Sequence, residues 1–137
     1  MAKILVVDDA EFLRVRITKM LTGNGHEVVE ADNGAKAVAK YRENRPDAVL
    51  MDVNMPGTSG PDALAAILAV DPFVRCCFMT ADDQPGRHAA LLASGAAAVF
   101  AKPFASVKDV CETLKRIAGE TFGGTDSLVE GGVKWTS

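Results

Sequence analysis

The sequence predicts an α/β protein: a doubly wound sheet of five parallel strands with helices on both faces. Three observations carry this. Short apolar, β-branched runs alternate with segments whose apolar residues keep helical spacing. Five strand-then-helix units in a row call for right-handed crossovers, which place helices on both faces of a parallel sheet. Chemically active side chains fall directly after the strands, at the carboxyl edge where open sheets bind their ligands.

The elements follow in order. Ile4 to Val7 is a β-branched run that ends at Asp8. From Ala10 to Leu21, Leu13, Ile17, Met20 and Leu21 keep helical spacing, and Gly23 and Gly25 stop the segment. Val28 and Val29 mark a second, poorer strand, and the alanine-rich stretch from Gly34 to Asn44 is helical up to Pro46. The third strand lies in "DAVLMDVNMPG", where Ala48 to Met51 read as buried on both faces and Asp52 closes the run. Pro61 suits the first position of the next helix, which carries Leu64, Ile67 and Leu68 on one side. A fourth strand is expected over Val74 to Met79, a weaker helix over Pro85 to Ser94 with Gly95 as its cap, and a fifth strand over Ala97 to Ala101. Val107, Val110, Cys111, Leu114 and Ile117 form a clean amphipathic stripe. From Gly119 the chain is glycine-rich without apolar periodicity, so residues 1–118 are expected as one domain and 119–137 as a flexible tail that includes Trp135.

The bulk composition narrows the function. A chain of 137 residues can bury roughly 68–70% of its unfolded surface and needs no disulfide or structural metal to fold. A net charge of −3 gives no basic footprint for nucleic acid. Cys76, Cys77 and Cys111 lack metal-ligand spacing and suit small buried hydrophobes in a reducing compartment. The opening apolar run is too short for a signal peptide, and no later run approaches a membrane span, so a cytoplasmic protein is expected.

A carboxylate at the end of a buried strand is costly unless something compensates its charge. Asp8 and Asp9 after the first strand join Asp52 after the third, and three acids at one sheet edge repel one another. Mg²⁺ resolves that conflict, since it takes hard oxygen ligands and keeps several waters. Asp9, Asp52 and the backbone carbonyl of Asn54 would supply a partial octahedron, with Asp8 holding coordinated water. Such an open site suits phosphoryl transfer, in which Asp52 attacks phosphorus to form an aspartyl phosphate. Lys102 after the fifth strand and Thr80 after the fourth can bind phosphoryl oxygens. Pro103 stiffens the loop beyond the lysine, where an X-Pro bond tolerates cis. Taken singly, each of these has a plain structural explanation as a strand-end or turn residue.

"ILVVDD", "VLMDVNMPG", "FMTA" and "AKPF", in this order and spacing, resemble the receiver domain of bacterial two-component response regulators, from Lys3 to about Ala118. "DDAEFLR", Asp8 to Arg14, is particularly similar to the stand-alone chemotaxis regulators. The resemblance implies a flavodoxin-like sheet of strand order 2-1-3-4-5 and phosphotransfer from a phosphohistidine on a sensor histidine kinase. Carried over by position, Asp52 matches the phosphoacceptor, Asp8 and Asp9 the acidic Mg²⁺ pair, and Asn54 the residue that donates a backbone carbonyl to the metal. Thr80 matches the switch hydroxyl and Lys102 the phosphate-contacting lysine, with the small Ala81 leaving access to the acyl phosphate. It further implies a downstream protein bound at the face of the fourth helix, fifth strand and fifth helix, and a monomer or a phosphorylation-dependent dimer. The chain departs from the family at Val99, where receivers commonly carry an aromatic residue; Phe100 comes one position later and is expected to face the other side of the sheet, in the core. A Mg²⁺-dependent phosphatase with an aspartyl-phosphate intermediate is an alternative, weakened because Asn54 stands where such enzymes place a second acid. The receiver half of a longer regulator is another; nothing basic follows Gly119.

Overall fold

The structure, a computed structural model, describes residues 2–119. Along the chain run β1 (Lys3–Val7), α1 (Glu11–Gly23), β2 (Glu27–Ala31), α2 (Gly34–Asn44), β3 (Ala48–Asp52), α3 (Gly60–Val70), β4 (Cys76–Thr80), α4 (Arg87–Ala93), β5 (Ala98–Ala101) and α5 (Val107–Gly119). The strands pair in parallel in the order β2-β1-β3-β4-β5, as expected for a flavodoxin-like sheet.

Side chains alternate across the sheet and divide the core in two. Leu5, Val7, Val49, Met51, Cys76 and Phe78 meet Ala37 and Tyr41 of α2, Ala63, Leu64 and Ile67 of α3, and Leu91 of α4. Ile4, Val6, Ala48, Leu50, Cys77 and Met79 meet Ile17 and Leu21 of α1 and Val110, Cys111, Leu114 and Ile117 of α5. The central strands β3 and β4 are buried along their whole length, which is why they read as continuous apolar runs. Each large side chain so buried contributes roughly 1.5–3 kcal/mol relative to exposure. All three cysteines are buried and free, and burial pushes the Cys77 thiol up to about 12 and the Cys111 thiol up to about 11. No helix among the described residues is long and apolar enough to cross a membrane.

Local chemistry fixes several helix starts. Asn33 Oδ1 accepts the Lys36 N–H at 2.8 Å, and Ser59 Oγ accepts the Asp62 N–H at 3.2 Å, so α2 and α3 carry side-chain caps. Pro61 sits in the first turn of α3, where its missing N–H costs nothing.

Several boundaries differ from the sequence reading. α1 runs on to Gly23, with Thr22 Oγ1 bonding back to the Thr18 carbonyl at 3.0 Å and the Asn24 side chain closing on Met20. β4 begins at Cys76 because the Val74 N–H turns back to the Asp71 carbonyl. α4 begins at Arg87, two residues late, since Gly86 is left-handed at φ +82°. β5 begins at Ala98, and α5 takes in Gly119, the first residue of the expected tail. The rest of that tail, with Trp135, lies outside the described residues.

Candidate phosphoacceptor and metal site

Parallel register brings the strand ends together. Val7 lies opposite Met51, Asp52 opposite Met79, and Thr80 opposite Ala101. Residues one step further along the chain therefore meet at one edge. Asp8 is fully buried, Asp52 nearly so and Thr80 is 1% exposed, while Asp9 faces solvent. One carboxylate oxygen from each of Asp8, Asp9 and Asp52 falls within 4.8 Å of the others. Lys102 Nζ stands 3.4 Å from Asp8 Oδ2 and 3.4 Å from Asp52 Oδ1. Five of the six sequence-expected site residues thus meet at one edge; Asn54, exposed on the loop after β3, lies beside them in sequence.

The local backbone explains how the acids are held. Asp8 Oδ1 accepts the Ala10 N–H at 2.9 Å, an Asx-type turn that starts the loop into α1. Behind Asp52, Gly60 N–H donates to the Val53 carbonyl at 2.8 Å, so the loop folds back against the strand. A Cβ at Gly60 would strike the Asp52 carbonyl oxygen, which makes glycine a requirement of close approach. The loop turns at Gly57, where φ is +80°.

Electrostatics at the site are unbalanced. Burial pushes the Asp52 carboxyl above the ordinary carboxylate range, and the negative charge of Asp8 adds to this; Lys102 opposes the shift without cancelling it. One lysine cannot neutralise three carboxylates. The donor set is all oxygen, partly open to water and short of positive charge, so it fits a hard divalent cation such as Mg²⁺. Asp8, Asp9 and Asp52 are the residues that can hold it.

Thr80 Oγ1 accepts the Asp82 N–H at 3.0 Å, and Asp82 Oδ2 lies 3.2 Å from Arg87 Nε on α4. The Lys102 N–H donates to the Thr80 carbonyl at 2.8 Å, tying the lysine's backbone to β4, and the Lys102–Pro103 bond is cis. Leu13, Arg16, Ala81 and Phe104 line an open cleft next to Lys102. Val99 packs in the core half under α2, α3 and α4, and Phe100 in the half under α1 and α5, on opposite faces as alternation requires. Phe100 is half-buried and meets the Phe104 ring edge-on at 6.3 Å.

Sequence reasoning missed the contacts of Arg14. Its Nη1 donates to the Asp8 carbonyl at 2.7 Å and its Nε to Glu30 Oε1 at 2.7 Å. The only signal was the presence of Arg14 at the end of "DDAEFLR"; no local periodicity pairs it with Glu30, sixteen residues on.

Comparison with known proteins agrees with this geometry. The family model described as the response regulator receiver domain matches residues 4–115. The chemotaxis protein CheY of Listeria monocytogenes is 40% identical over 119 residues, 86% of this chain and 99% of that one. The CheY of Bacillus subtilis is 44% identical over 103 residues, 74% of this chain and 86% of that one. The high-resolution structure of chemotaxis response regulator CheY4 of Vibrio cholerae superposes with a TM-score of 0.77 at 32% identity, covering 85% of this chain and 98% of that one. Together with a five-stranded sheet of order 2-1-3-4-5 and the acids, threonine and lysine gathered at its carboxyl edge, these matches show that the chain belongs to the response regulator receiver domain family.

Proposed function

We propose that this chain is a stand-alone signalling switch that accepts a phosphoryl group on Asp52 with the help of Mg²⁺. The observation that supports it best is the meeting of Asp8, Asp9 and Asp52 within 4.8 Å, with Lys102 Nζ 3.4 Å from two of them. The donor is a phosphohistidine on a sensor histidine kinase. One Asp52 carboxylate oxygen bonds to phosphorus as the bond from phosphorus to the donor imidazole nitrogen breaks, and that nitrogen leaves with the electron pair. Mg²⁺, when bound, supplies neutralisation of the phosphoryl oxygens. Asp8, Asp9, Asp52 and the Asn54 backbone carbonyl would hold it, directly or through water. Lys102 holds a further oxygen as a point charge, and the Thr80 hydroxyl donates to another. The chain assists its own phosphorylation and dephosphorylation and does not turn over a separate substrate.

The output follows from Thr80. Its Oγ1 accepts the Asp82 N–H, and Asp82 is paired with Arg87 of α4. Turning the hydroxyl toward a phosphorylated Asp52 gives up the Asp82 contact and loosens the start of α4. The phosphoryl group thereby shifts the population of the α4–β5–α5 surface that a partner protein reads. With Val99 and Phe100 packed on opposite faces, this route does not depend on an aromatic ring at position 99. The CheY relatives, matched over most of their length, support a cytoplasmic role in chemotaxis.

Asp52→Asn is expected to abolish incorporation of phosphate from acetyl phosphate or a phosphorylated kinase in the presence of Mg²⁺. Undiminished labelling of that variant overturns the assignment.

A further inference from the structure

The site proposed above assigns no task to Arg14, which ends the "DDAEFLR" stretch. Arg14 lies in the first turns of α1 with its side chain only 15% exposed. Its guanidinium makes two short contacts in different directions. Nε donates to Glu30 Oε1 on β2 at 2.7 Å, and Nη1 donates to the backbone carbonyl of Asp8 at 2.7 Å. Both are charge-assisted and stronger than neutral hydrogen bonds. From them we infer that the Arg14–Glu30 pair is a positioning device: it fixes the peptide between Asp8 and Asp9 and so aims the Asp9 carboxylate at the metal position. This rests on the Mg²⁺ site proposed above.

Asp9 is the acid that needs such help. The Asp8 side chain is located by its own partners, the Ala10 N–H and Lys102. Asp52 is fixed at the end of a buried strand and also meets Lys102. Asp9 is exposed, and among the described residues no side-chain donor holds its carboxylate. Its placement must come from the backbone. The Asp8 carbonyl and the Asp9 nitrogen and Cα belong to one planar peptide, so a hydrogen bond to that carbonyl holds the plane and with it the Cα from which the Asp9 side chain springs. On the other side of Asp8, its N–H donates to the Ala31 carbonyl at 3.2 Å. Residue 8 is thus anchored at its nitrogen by β2 and at its oxygen by a guanidinium that β2 also holds.

The pairing with Glu30 has a second consequence. An arginine charge next to a cation site repels the cation. Glu30 lies against the guanidinium and offsets that charge, so the geometric benefit is kept without the electrostatic penalty. Only a planar fork can reach two acceptors at a fixed angle; a lysine at the same position keeps the charge and offers a single point.

Three variants test the inference: Arg14→Ala, Arg14→Lys and Glu30→Gln, each titrated with MgCl₂ by calorimetry. Hydrogen exchange at the Asp9 and Ala10 amides is followed in the metal-free proteins. Arg14→Ala is expected to weaken Mg²⁺ binding about tenfold, the scale seen when a partner behind a metal ligand is lost. Arg14→Lys is expected to weaken it nearly as much, and both variants are expected to exchange the two amides faster than wild type. Glu30→Gln keeps the acceptor and bares the arginine charge, so a smaller loss is expected. Wild-type affinity and wild-type exchange in Arg14→Lys, with Arg14→Ala merely less stable, make the pair a fastener between α1 and β2 and overturn the inference. A wild-type protein that binds no Mg²⁺ brings down the site itself, whereas binding by wild type and both Arg14 variants alike removes only the role of Arg14.

Discussion

The two ends of the sheet treat their polar groups in opposite ways. At the amino end, backbone and side-chain groups pair across strand starts, although the buried His26 Nε2 has no partner among the described residues. The Lys3 N–H donates to Asp47 Oδ2 at 2.9 Å while the Asp47 N–H returns to the Lys3 carbonyl at 2.7 Å. Lys3 Nζ reaches the Asn44 carbonyl at 3.3 Å, and the Ala2 N–H donates to His26 Nδ1 at 3.1 Å. These contacts stitch strand starts to helix ends. At the carboxyl end, Asp8 and Asp52 share Lys102 while Asp9 stands close by without a side-chain partner among the described residues, and the Asp52 carboxyl is raised by burial and by Asp8. A fold that pairs its strand starts at one edge leaves an excess of negative charge at the other. Sequences that are otherwise consistent depart from consistency where function requires it.

The contrast can be broken or sharpened by substitution. The largest effect on stability is expected from Lys102→Ala, which leaves Asp8 and Asp52 without their cation. In metal-free protein it should cost about 2 kcal/mol by urea unfolding, below the usual loss for a buried pair because the lysine side chain is 21% exposed. Mg²⁺ should still bind this variant and restore part of the loss. An equal deficit with and without Mg²⁺ would contradict the idea that lysine and metal offset the same charge.

Next comes Asp52→Asn in metal-free protein. A carboxyl raised on folding contributes stability that is fully present below its ordinary pKa of 3.8 and is lost as pH rises through the folded value. At neutral pH the charged form therefore weighs against folding. The amide should raise stability by on the order of 1 kcal/mol and should cancel the stabilisation that Mg²⁺ gives wild type. A less stable variant would mean that the attraction to Lys102 outweighs burial and Asp8.

The smallest effect belongs to the amino end. Burial, together with the positive amino terminus and Lys115, holds His26 below its usual 6.5. The unfolded chain thus takes up its proton first, and stability present above 6.5 is lost as pH falls toward the folded value. His26→Asn keeps an acceptor for the Ala2 N–H and should flatten thermal melts between about pH 7 and 5, by less than about 1 kcal/mol. An unchanged slope would assign the acid sensitivity to other groups.

Much of this was legible in the residues because the signals were local. Apolar runs closed by Asp8, Asp52, Thr80 and Lys102 give both the strands and the site, since parallel crossovers bring successive strand ends to one edge. Helix limits were less legible where a single backbone conformation decides them, as at left-handed Gly86 before α4. Partners brought together only by tertiary structure were not legible at all. Arg14 and Glu30 lie on different elements, and the Asp82–Thr80 contact depends on how the loop after β4 turns. Phe100, expected in the core, is half-buried, because β5 is an edge strand with four residues and incomplete cover.

The close fit of Gly60 against the Asp52 carbonyl has a mechanical consequence. Helix α3 begins flush with the rear of β3, so the strand end that carries Asp52 has no room to retreat. Any adjustment around the Asp52 carboxylate then falls on the loops in front, which carry Thr80's neighbours and Lys102. A methyl group at position 60 would drive this firm backing into the Asp52 carbonyl and disturb the carboxylate it carries.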